Sequence, residues 1–191
     1  MSRLYIVAGC NGAGKTTASF TILPEMLNCR EFVNADEIAK GLSPFNQGGV
    51  SFKAGRLMLG RINELLKSGA DFAFETTLAT RSYVSFIKQA RARGYFTTLI
   101  YFWLVSPEQA AQRVAMRVKD GGHDIPADIV FRRYRSGIHN LFDLYIPVCD
   151  VWMIFDNTVL GGDNIVALGG LNRECDIYNE TIFNKMKSYG R

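Results

Sequence analysis

The sequence is poor in cysteine, and its cysteines are far apart. The four are Cys10, Cys29, Cys149 and Cys175. They form no C-x-x-C pair and have no histidine pattern nearby, whereas structural zinc sites need closely spaced ligands. The sequence therefore predicts no zinc site, and a reducing, cytoplasmic setting is the default expectation.

Long hydrophobic runs and an excess of one charge are missing as well. No apolar run approaches the ~20 residues that a transmembrane helix needs, and the first residues lack the pattern of a signal peptide. Lys and Arg number 22 against 18 Asp and Glu, so the net charge is only +4 and is spread along the chain. We therefore expect neither a membrane nor a nucleic-acid partner.

Short apolar runs alternate with amphipathic helical patterns. Candidate strands cover residues 4–8, 31–34, 71–75, 96–104 and 151–155. Helical stripes cover residues 54–66 with a C-cap at Gly69, residues 83–90 before Gly94, and residues 110–118 behind Ser106 and Pro107. This alternation predicts an α/β fold, with a doubly wound, mostly parallel sheet that has helices on both faces.

The size of the chain predicts one domain over residues 1–191. Of its 191 residues, 48% are hydrophobic, which is enough for a real core. Residues 165–168 are a further short strand and residues 177–187 a closing helix in this interpretation, so the sheet has five or six strands. Ligands of such sheets bind beyond the carboxyl ends of the strands.

The most specific motif follows the first candidate strand. Residues 9–16 match G-x-x-x-x-G-K-[ST] in full, the pattern of a phosphate-binding P-loop. The probability of one chance match in an ordinary glycine turn is about 1%. Lys15 is expected to reach the β- and γ-phosphates of ATP, and Thr16 to bind Mg²⁺. The predicted nucleotide-binding residues here are Gly9, Asn11, Gly12, Ala13, Gly14, Lys15, Thr16 and Thr17.

Two motifs of other P-loop classes are absent. Asn184-Lys185 is followed by Met186-Lys187 and not by the x-Asp that guanine recognition requires, and no L-S-G-G-Q signature of transport ATPases occurs. What remains favours a small kinase with its own lid.

Two carboxylates lie at the predicted strand ends. Asp36 is a candidate general base that accepts the proton of a substrate hydroxyl, or alternatively a helix N-cap. Glu75 ends an apolar run like a Walker B strand and is expected to face Mg²⁺, unless it is a solvated strand-end carboxylate. Thr76 and Thr77 either cap the next helix or contact substrate.

Arginines surround a glycine-containing segment further along the chain. Arg113 and Arg117 lie four apart on one predicted helix face, and Arg132 and Arg133 follow residues 120–126. Guanidinium groups neutralise a phosphoryl group in transfer, so this region, about 113–135, is the predicted lid. The alternative for each arginine is a solvated helix face, and His123 either holds the lid closed or is structural.

Cys10 lies inside the predicted phosphate nest. A helix N-terminus favours a thiolate, so alkylation of Cys10 is one expected way to block ATP. The alternative is an inert filler at a permissive position.

The spaced combination of these motifs resembles the zeta toxin family of P-loop kinases. The resemblance is carried by the P-loop, Val33-Asn34-Ala35-Asp36, Phe74-Glu75-Thr76-Thr77-Leu78, and the stretches 121–126 and 132–134, and it covers residues 4 to about 157.

The resemblance implies phosphorylation of a sugar hydroxyl on a UDP-activated amino sugar, typically UDP-N-acetylglucosamine, with ATP as donor. It also implies Asp36 as the base, Arg117 as a phosphate-contacting arginine, and Arg132 or Arg133 as a second one. An antitoxin protein is a possible partner. A kinase of another metabolite or drug hydroxyl and a non-catalytic ATP-binding module remain alternatives.

Overall fold

The protein is built around one seven-stranded sheet. The computed structural model describes residues 1–119, 122, 124–159 and 164–189. Within these ranges the strands are β1 (Arg3–Gly9), β2 (Glu31–Val33), β3 (Phe72–Thr76), β4 (Phe96–Trp103), β5 (Val151–Asp156), β6 (Asn164–Gly170) and β7 (Arg173–Ile177). Their order is β2-β3-β1-β4-β5-β6-β7. The first five are parallel, β6 pairs antiparallel with β5, and β7 pairs antiparallel with β6, so the predicted α/β fold with a mostly parallel sheet is confirmed.

Among the described residues, six α-helices lie between the parallel strands, and a seventh follows β7. They are α1 (Lys15–Thr21), α2 (Ala35–Leu42), α3 (Gln47–Ser68), α4 (Ser82–Ala92), α5 (Pro107–Lys119), α6 (Ala127–Asn140) and α7 (Glu180–Tyr189). Each predicted helical stripe lies in one of them. Gly69 caps α3 with a φ of 73°, and Ser106 Oγ accepts the amide hydrogen bond of Gln109 at the start of α5, as predicted.

The central strands correspond to the apolar runs of the sequence. Helices cover both faces of the sheet there, so successive side chains on either face are buried. β1 is buried from Leu4 to Gly9, and all of β4 after Phe96 is buried. Phe72 of β3 makes edge-to-face contacts with Phe86 of α4 and with Tyr95. The sheet and helices therefore share one continuous core.

The predicted strand count of five or six is wrong, because β7 was missed. Its sequence, RECDI, is exposed at every position on the edge of the sheet. An edge strand without a buried face has no apolar alternation to reveal it. The closing helix begins at Glu180, three residues later than the predicted position 177.

The topology brings three strand ends together. β1 lies between β3 and β4, and β2 pairs with β3 on its far side. Their carboxyl ends carry the P-loop, Glu75 and the Asn34–Asp36 turn at one edge of the sheet. Within the described parts of the chain, every helix is too short or too polar to span a lipid bilayer.

Candidate active site

The P-loop has the backbone of an anion nest. Gly12 and Gly14 have φ values of 79° and 81°, in the left-handed region that glycine adopts without strain, and the amide of Ala13 donates to the carbonyl of Cys10 at 3.2 Å. Gly14 precedes the first residue of α1, so the loop opens directly onto a helix N-terminus. Such a loop directs amide groups towards an anion.

Two long-range contacts hold this loop against the sheet. Gly9 ends β1 so close to β4 that a Cβ atom would collide with the carbonyl oxygen of Phe102. Asn157, just beyond β5, donates from Nδ2 to the carbonyl of Ala13 at 2.6 Å. The close packing of Gly9 against β4 and the hydrogen bond to Ala13 therefore fix the loop on the side of the sheet.

Lys15 turns inward. It is 5% exposed, and its Nζ donates to the carbonyl of Cys10 at 2.9 Å and lies 3.4 Å from Oε1 of Glu75. The paired carboxylate offsets the cost of burying the ammonium group. The P-loop lysine is thus held beside the nest.

Glu75 joins the P-loop to β2. Its Oε2 accepts a hydrogen bond from the Thr16 hydroxyl at 2.7 Å and another from Nδ2 of Asn34 at 2.8 Å. Its side chain is only 10% exposed, so the alternative of a solvated strand-end carboxylate is wrong. The cause is the parallel pairing of β3 with β1, which sets Glu75 opposite Val7.

Thr16 and Glu75 fit a magnesium ion by their chemistry. Both offer oxygen atoms, and these are 2.7 Å apart beside the P-loop. Mg²⁺ prefers oxygen ligands, and in phosphate sites it uses one or two protein groups together with water and phosphate.

Asp36 is not the N-cap of α2, so that alternative is wrong. Asn34 is the cap: its Oδ1 accepts the amide hydrogen bond of Asp36 at 2.8 Å. The Asp36 carboxylate is left free of capping and faces the site. Whether it is the general base stays a prediction.

Two cavities meet at these residues. The first, the P-loop cavity, has a volume of about 560 Å³ and is lined by Asn11, Gly12, Gly14, Lys15, Thr16, Thr17, Asp36, Glu37, Glu75, Arg113, Met116 and Arg117. The second, the α6 cavity, has a volume of about 460 Å³ and is lined by Asn11, Lys15, Asn34, Ala35, Asp36, Met58, Glu75, Thr76, Thr77, Ala79, Thr80, Tyr83, Arg132, Arg133 and Ser136.

Four residues line both cavities. They are Asn11, Lys15, Asp36 and Glu75. The two spaces therefore adjoin at a wall that carries one cation and two carboxylates. A phosphate donor bound in one cavity and a phosphate acceptor bound in the other would meet at this shared wall.

The predicted arginines divide between the cavities. Arg113 and Arg117 line the P-loop cavity, where Nη2 of Arg113 donates to the carbonyl of Thr158 at 2.7 Å. Arg132 and Arg133 line the α6 cavity. Arg132, predicted to bind nucleotide, therefore lies in the second cavity.

Arg133 also reaches back to the P-loop. Its Nη1 donates to Oδ1 of Asn11 at 3.2 Å. Burial lowers the pKa of its guanidinium from the ordinary value, and the nearby charge of Asp36 acts in the opposite direction. Gly121 and His123, which belong to the predicted lid, lie outside the described residues.

Cys10 is an inert thiol in this fold. It is 2% exposed, and burial raises its pKa to about 11, which outweighs the nearby charge of Lys15. The expectation of a favoured thiolate is wrong, and the filler alternative fits.

Sequence reasoning assigned no role to several residues at the site. Asn34 and Asn157 hold Glu75 and the P-loop, while Tyr83, Thr80 and Ser136 line the α6 cavity. The sequence does contain an indication for Asn34, because this residue directly follows β2 at the edge of the sheet where ligands bind. Asn157 likewise follows β5 at that edge.

Comparison with known proteins identifies the family. A family model described as zeta toxin matches residues 2–144. An uncharacterised protein of Haemophilus influenzae is 33% identical over 134 residues, which is 70% of this chain and 93% of that protein.

Solved structures share the fold. The AvrRxo1-ORF1:-ORF2 complex with ATP matches with a TM-score of 0.79 at 17% identity, over 100% of this chain and 65% of that chain. The chain thus spans a little under two thirds of that protein. The PezAT chromosomal toxin–antitoxin system of Streptococcus pneumoniae matches with a TM-score of 0.68 at 14% identity, over 100% of this chain and 84% of that chain.

Kinases are among the other structural matches. At such identities the likeness shows the fold alone, which is that of P-loop kinases. The family match over residues 2–144 agrees with the resemblance seen in the motifs. The chain belongs to the zeta toxin family.

Proposed function

We propose that the protein is an ATP-dependent kinase that transfers the γ-phosphate to a hydroxyl of a UDP-activated amino sugar, such as UDP-N-acetylglucosamine. The observation that carries this proposal is the position of Asp36 on the wall shared by the P-loop cavity and the α6 cavity. A kinase needs its base between donor and acceptor. The family supports the substrate class.

In this proposal the phosphates of ATP lie in the P-loop cavity. The loop amides and Lys15 contact them, and Arg117 adds charge from α5. Thr16 and Glu75 would hold Mg²⁺, which neutralises phosphate charge when it is bound. Neutralisation of this kind lowers the barrier because charge spreads over the transferring group.

The acceptor lies in the α6 cavity with one hydroxyl towards Asp36. Its oxygen bonds to the γ-phosphorus while the bond from that phosphorus to the bridging oxygen breaks. The proton of the hydroxyl passes to the Asp36 carboxylate, and ADP leaves with the electron pair. Arg133, which lines the α6 cavity and contacts Asn11 of the P-loop, stabilises the group in transfer.

That Arg132 binds a nucleotide phosphate stays a prediction, and its position favours a phosphate of the acceptor over one of ATP. Arg132 lines the α6 cavity and not the P-loop cavity, and it has no ion pair or hydrogen bond within the described part of the chain. The other two cations of this cavity have carboxylate neighbours: Lys15 lies beside Glu75, and Arg133 lies near Asp36. We assign Arg132 to an anionic group of the acceptor, such as the diphosphate of a UDP-sugar.

Four further features of the molecule belong to the proposal. The chain acts as one kinase domain in the cytoplasm, and residues from about 113 to 135 form its lid. An antitoxin protein is a proposed partner, since the PezAT neighbour is a toxin–antitoxin system.

An acceptor screen tests the proposal. The protein is incubated with ATP, Mg²⁺ and a panel of UDP-sugars, and mass spectrometry detects the gain of one phosphate. A product from a UDP-amino sugar supports the proposal. Product only from UDP-sugars that carry no amino sugar, or ATP binding without any product, contradicts it.

Asp36→Asn tests the base. ATP affinity should stay unchanged while turnover falls by about two to four orders of magnitude. The matched control is Asp143→Asn. Asp143 is an exposed carboxylate in the turn after α6, and it pairs with His139 of α6. Equal turnover in Asp36→Asn and the control would remove Asp36 as the base.

A further inference from the structure

The segment after β3 forms one wall of the α6 cavity in a strained conformation. Thr77, Ala79 and Thr80 line the cavity, and Leu78 between them has a φ of 57°. Leucine rarely adopts this left-handed backbone, and here its side chain is fully buried. A strained residue of this kind persists only where its surroundings hold it.

One continuous stretch of chain holds that segment. Asn140 donates from Nδ2 to the carbonyl of Leu78 at 2.7 Å, and the Tyr145 hydroxyl donates to the carbonyl of Thr80 at 2.5 Å. Gly137 lies so close that a Cβ atom there would be 2.5 Å from the carbonyl oxygen of Thr77. Hydrogen bonds from Asn140 and Tyr145 therefore hold the carbonyls of residues 78 and 80, and Gly137 packs against the carbonyl of residue 77.

The same helix supplies another part of the cavity wall. Arg133, Ser136 and Asn140 are spaced three and four residues apart on α6, so they lie on one side of it. Beyond Asn140 the helix continues as a π-helical turn, Leu141–Tyr145, which ends at Tyr145. The two cavity walls are thus joined through Asn140 and Tyr145.

We propose that Asn140 is a positioning residue for the acceptor: by holding the Leu78 carbonyl, it sets residues 77–80 at a fixed distance from Arg133 and Ser136. Asn140 is 3% exposed and lines neither cavity, so it acts through the segment that it holds. The role needs an amide donor, because an aspartate carboxylate would face the carbonyl oxygen with a second acceptor. This inference rests on the proposed kinase function.

A matched control exists on the same helix. Tyr134 donates its hydroxyl to the carbonyl of Leu104 at 2.7 Å, which is also a buried bond from α6 to a backbone carbonyl. Leu104 follows β4 and lines neither cavity. Tyr134→Phe therefore removes an equivalent bond without releasing residues 77–80.

The experiment compares Asn140→Asp and Asn140→Ala with Tyr134→Phe by hydrogen–deuterium exchange and steady-state kinetics. In the Asn140 variants, amides of residues 77–82 should exchange at least about tenfold faster, and KM for UDP-N-acetylglucosamine should rise about tenfold or more while KM for ATP changes less than about twofold. Tyr134→Phe should lower the melting temperature with neither effect. Tyr145→Phe should act like the Asn140 variants, and it replaces them if they do not fold.

Two outcomes overturn the inference. One is unchanged exchange of residues 77–82 in the Asn140 variants, and the other is an equal rise of both KM values. If the wild-type protein phosphorylates no UDP-sugar, the proposed function fails by itself, and the exchange comparison still decides whether Asn140 holds the segment.

Discussion

Arg133 on α6 and Asn11 in the P-loop are joined by a hydrogen bond of 3.2 Å, although 122 residues separate them in sequence. The bond links the helix that lines the second cavity to the loop that lines the first. The Arg133 guanidinium therefore lies on the side of the α6 cavity that adjoins the P-loop.

Arg133→Lys should lower kcat. Lysine keeps the charge but loses the planar fork that contacts two oxygens at once. Loss of one such donor typically costs about a hundredfold in kcat. Arg135→Lys, on the exposed side of α6, should leave kcat unchanged in the same assay. Equal kcat values for the two variants would contradict a role in transfer.

Glu75→Gln should raise the Mg²⁺ concentration that gives half-maximal activity. The substitution keeps the size of the side chain but removes the charge beside Thr16 and Lys15. It should also destabilise the nucleotide-free protein by about 1–3 kcal/mol, because three polar neighbours lose a charged partner. Rates across a Mg²⁺ titration and thermal melting measure the two effects.

The control for this change is Glu64→Gln, at a side chain that is 68% exposed. It should leave both quantities as they are, since exposed pairs contribute little. A Glu75→Gln variant with an unaltered Mg²⁺ dependence would separate Glu75 from the metal.

Cys10 should resist alkylation at pH 8. Burial raises its pKa to about 11, so the neutral thiol prevails at every pH below that value and about one molecule in a thousand carries the thiolate at pH 8. The exposed Cys175 should react first. Peptide mass spectrometry after iodoacetamide treatment measures both sites, and fast labelling of Cys10 that ATP prevents would contradict the inert assignment.

Gly9→Ala should destabilise the protein and weaken ATP binding. Gly9 has a φ of 142°, and a Cβ atom there meets the backbone of Phe102, which cannot move without breaking the pairing of β1 and β4. We expect a loss of at least about 1 kcal/mol. Denaturant unfolding and ATP titration measure the change.

Gly60→Ala is its counterpart within α3, where a Cβ atom meets nothing within 4 Å. It should stabilise the protein by about 0.5–1 kcal/mol, because alanine favours the helix. If both glycine variants proved equally stable, the close approach at Gly9 would not be the cause.

Local patterns of the sequence predicted the P-loop turn, the buried strands and the helices α3, α4 and α5 correctly. A phosphate nest is encoded by eight contiguous residues, and the apolar run of β4 reports burial on both faces. β7 was not predicted, because hydrophobic patterns report burial and every residue of β7 is exposed. The same limit applies at Asp36, where spacing permits an N-cap and only the structure shows Asn34 in that role.

The sequence by itself determined that an anion nest follows the first strand, since backbone conformation there depends on neighbouring glycines. Only the tertiary structure decided what faces that nest. Glu75 meets Thr16 across 59 residues and Asn34 across 41, because β3 pairs with β1 on one side and β2 on the other. Strand order depends on packing between distant segments, and no local pattern encodes it.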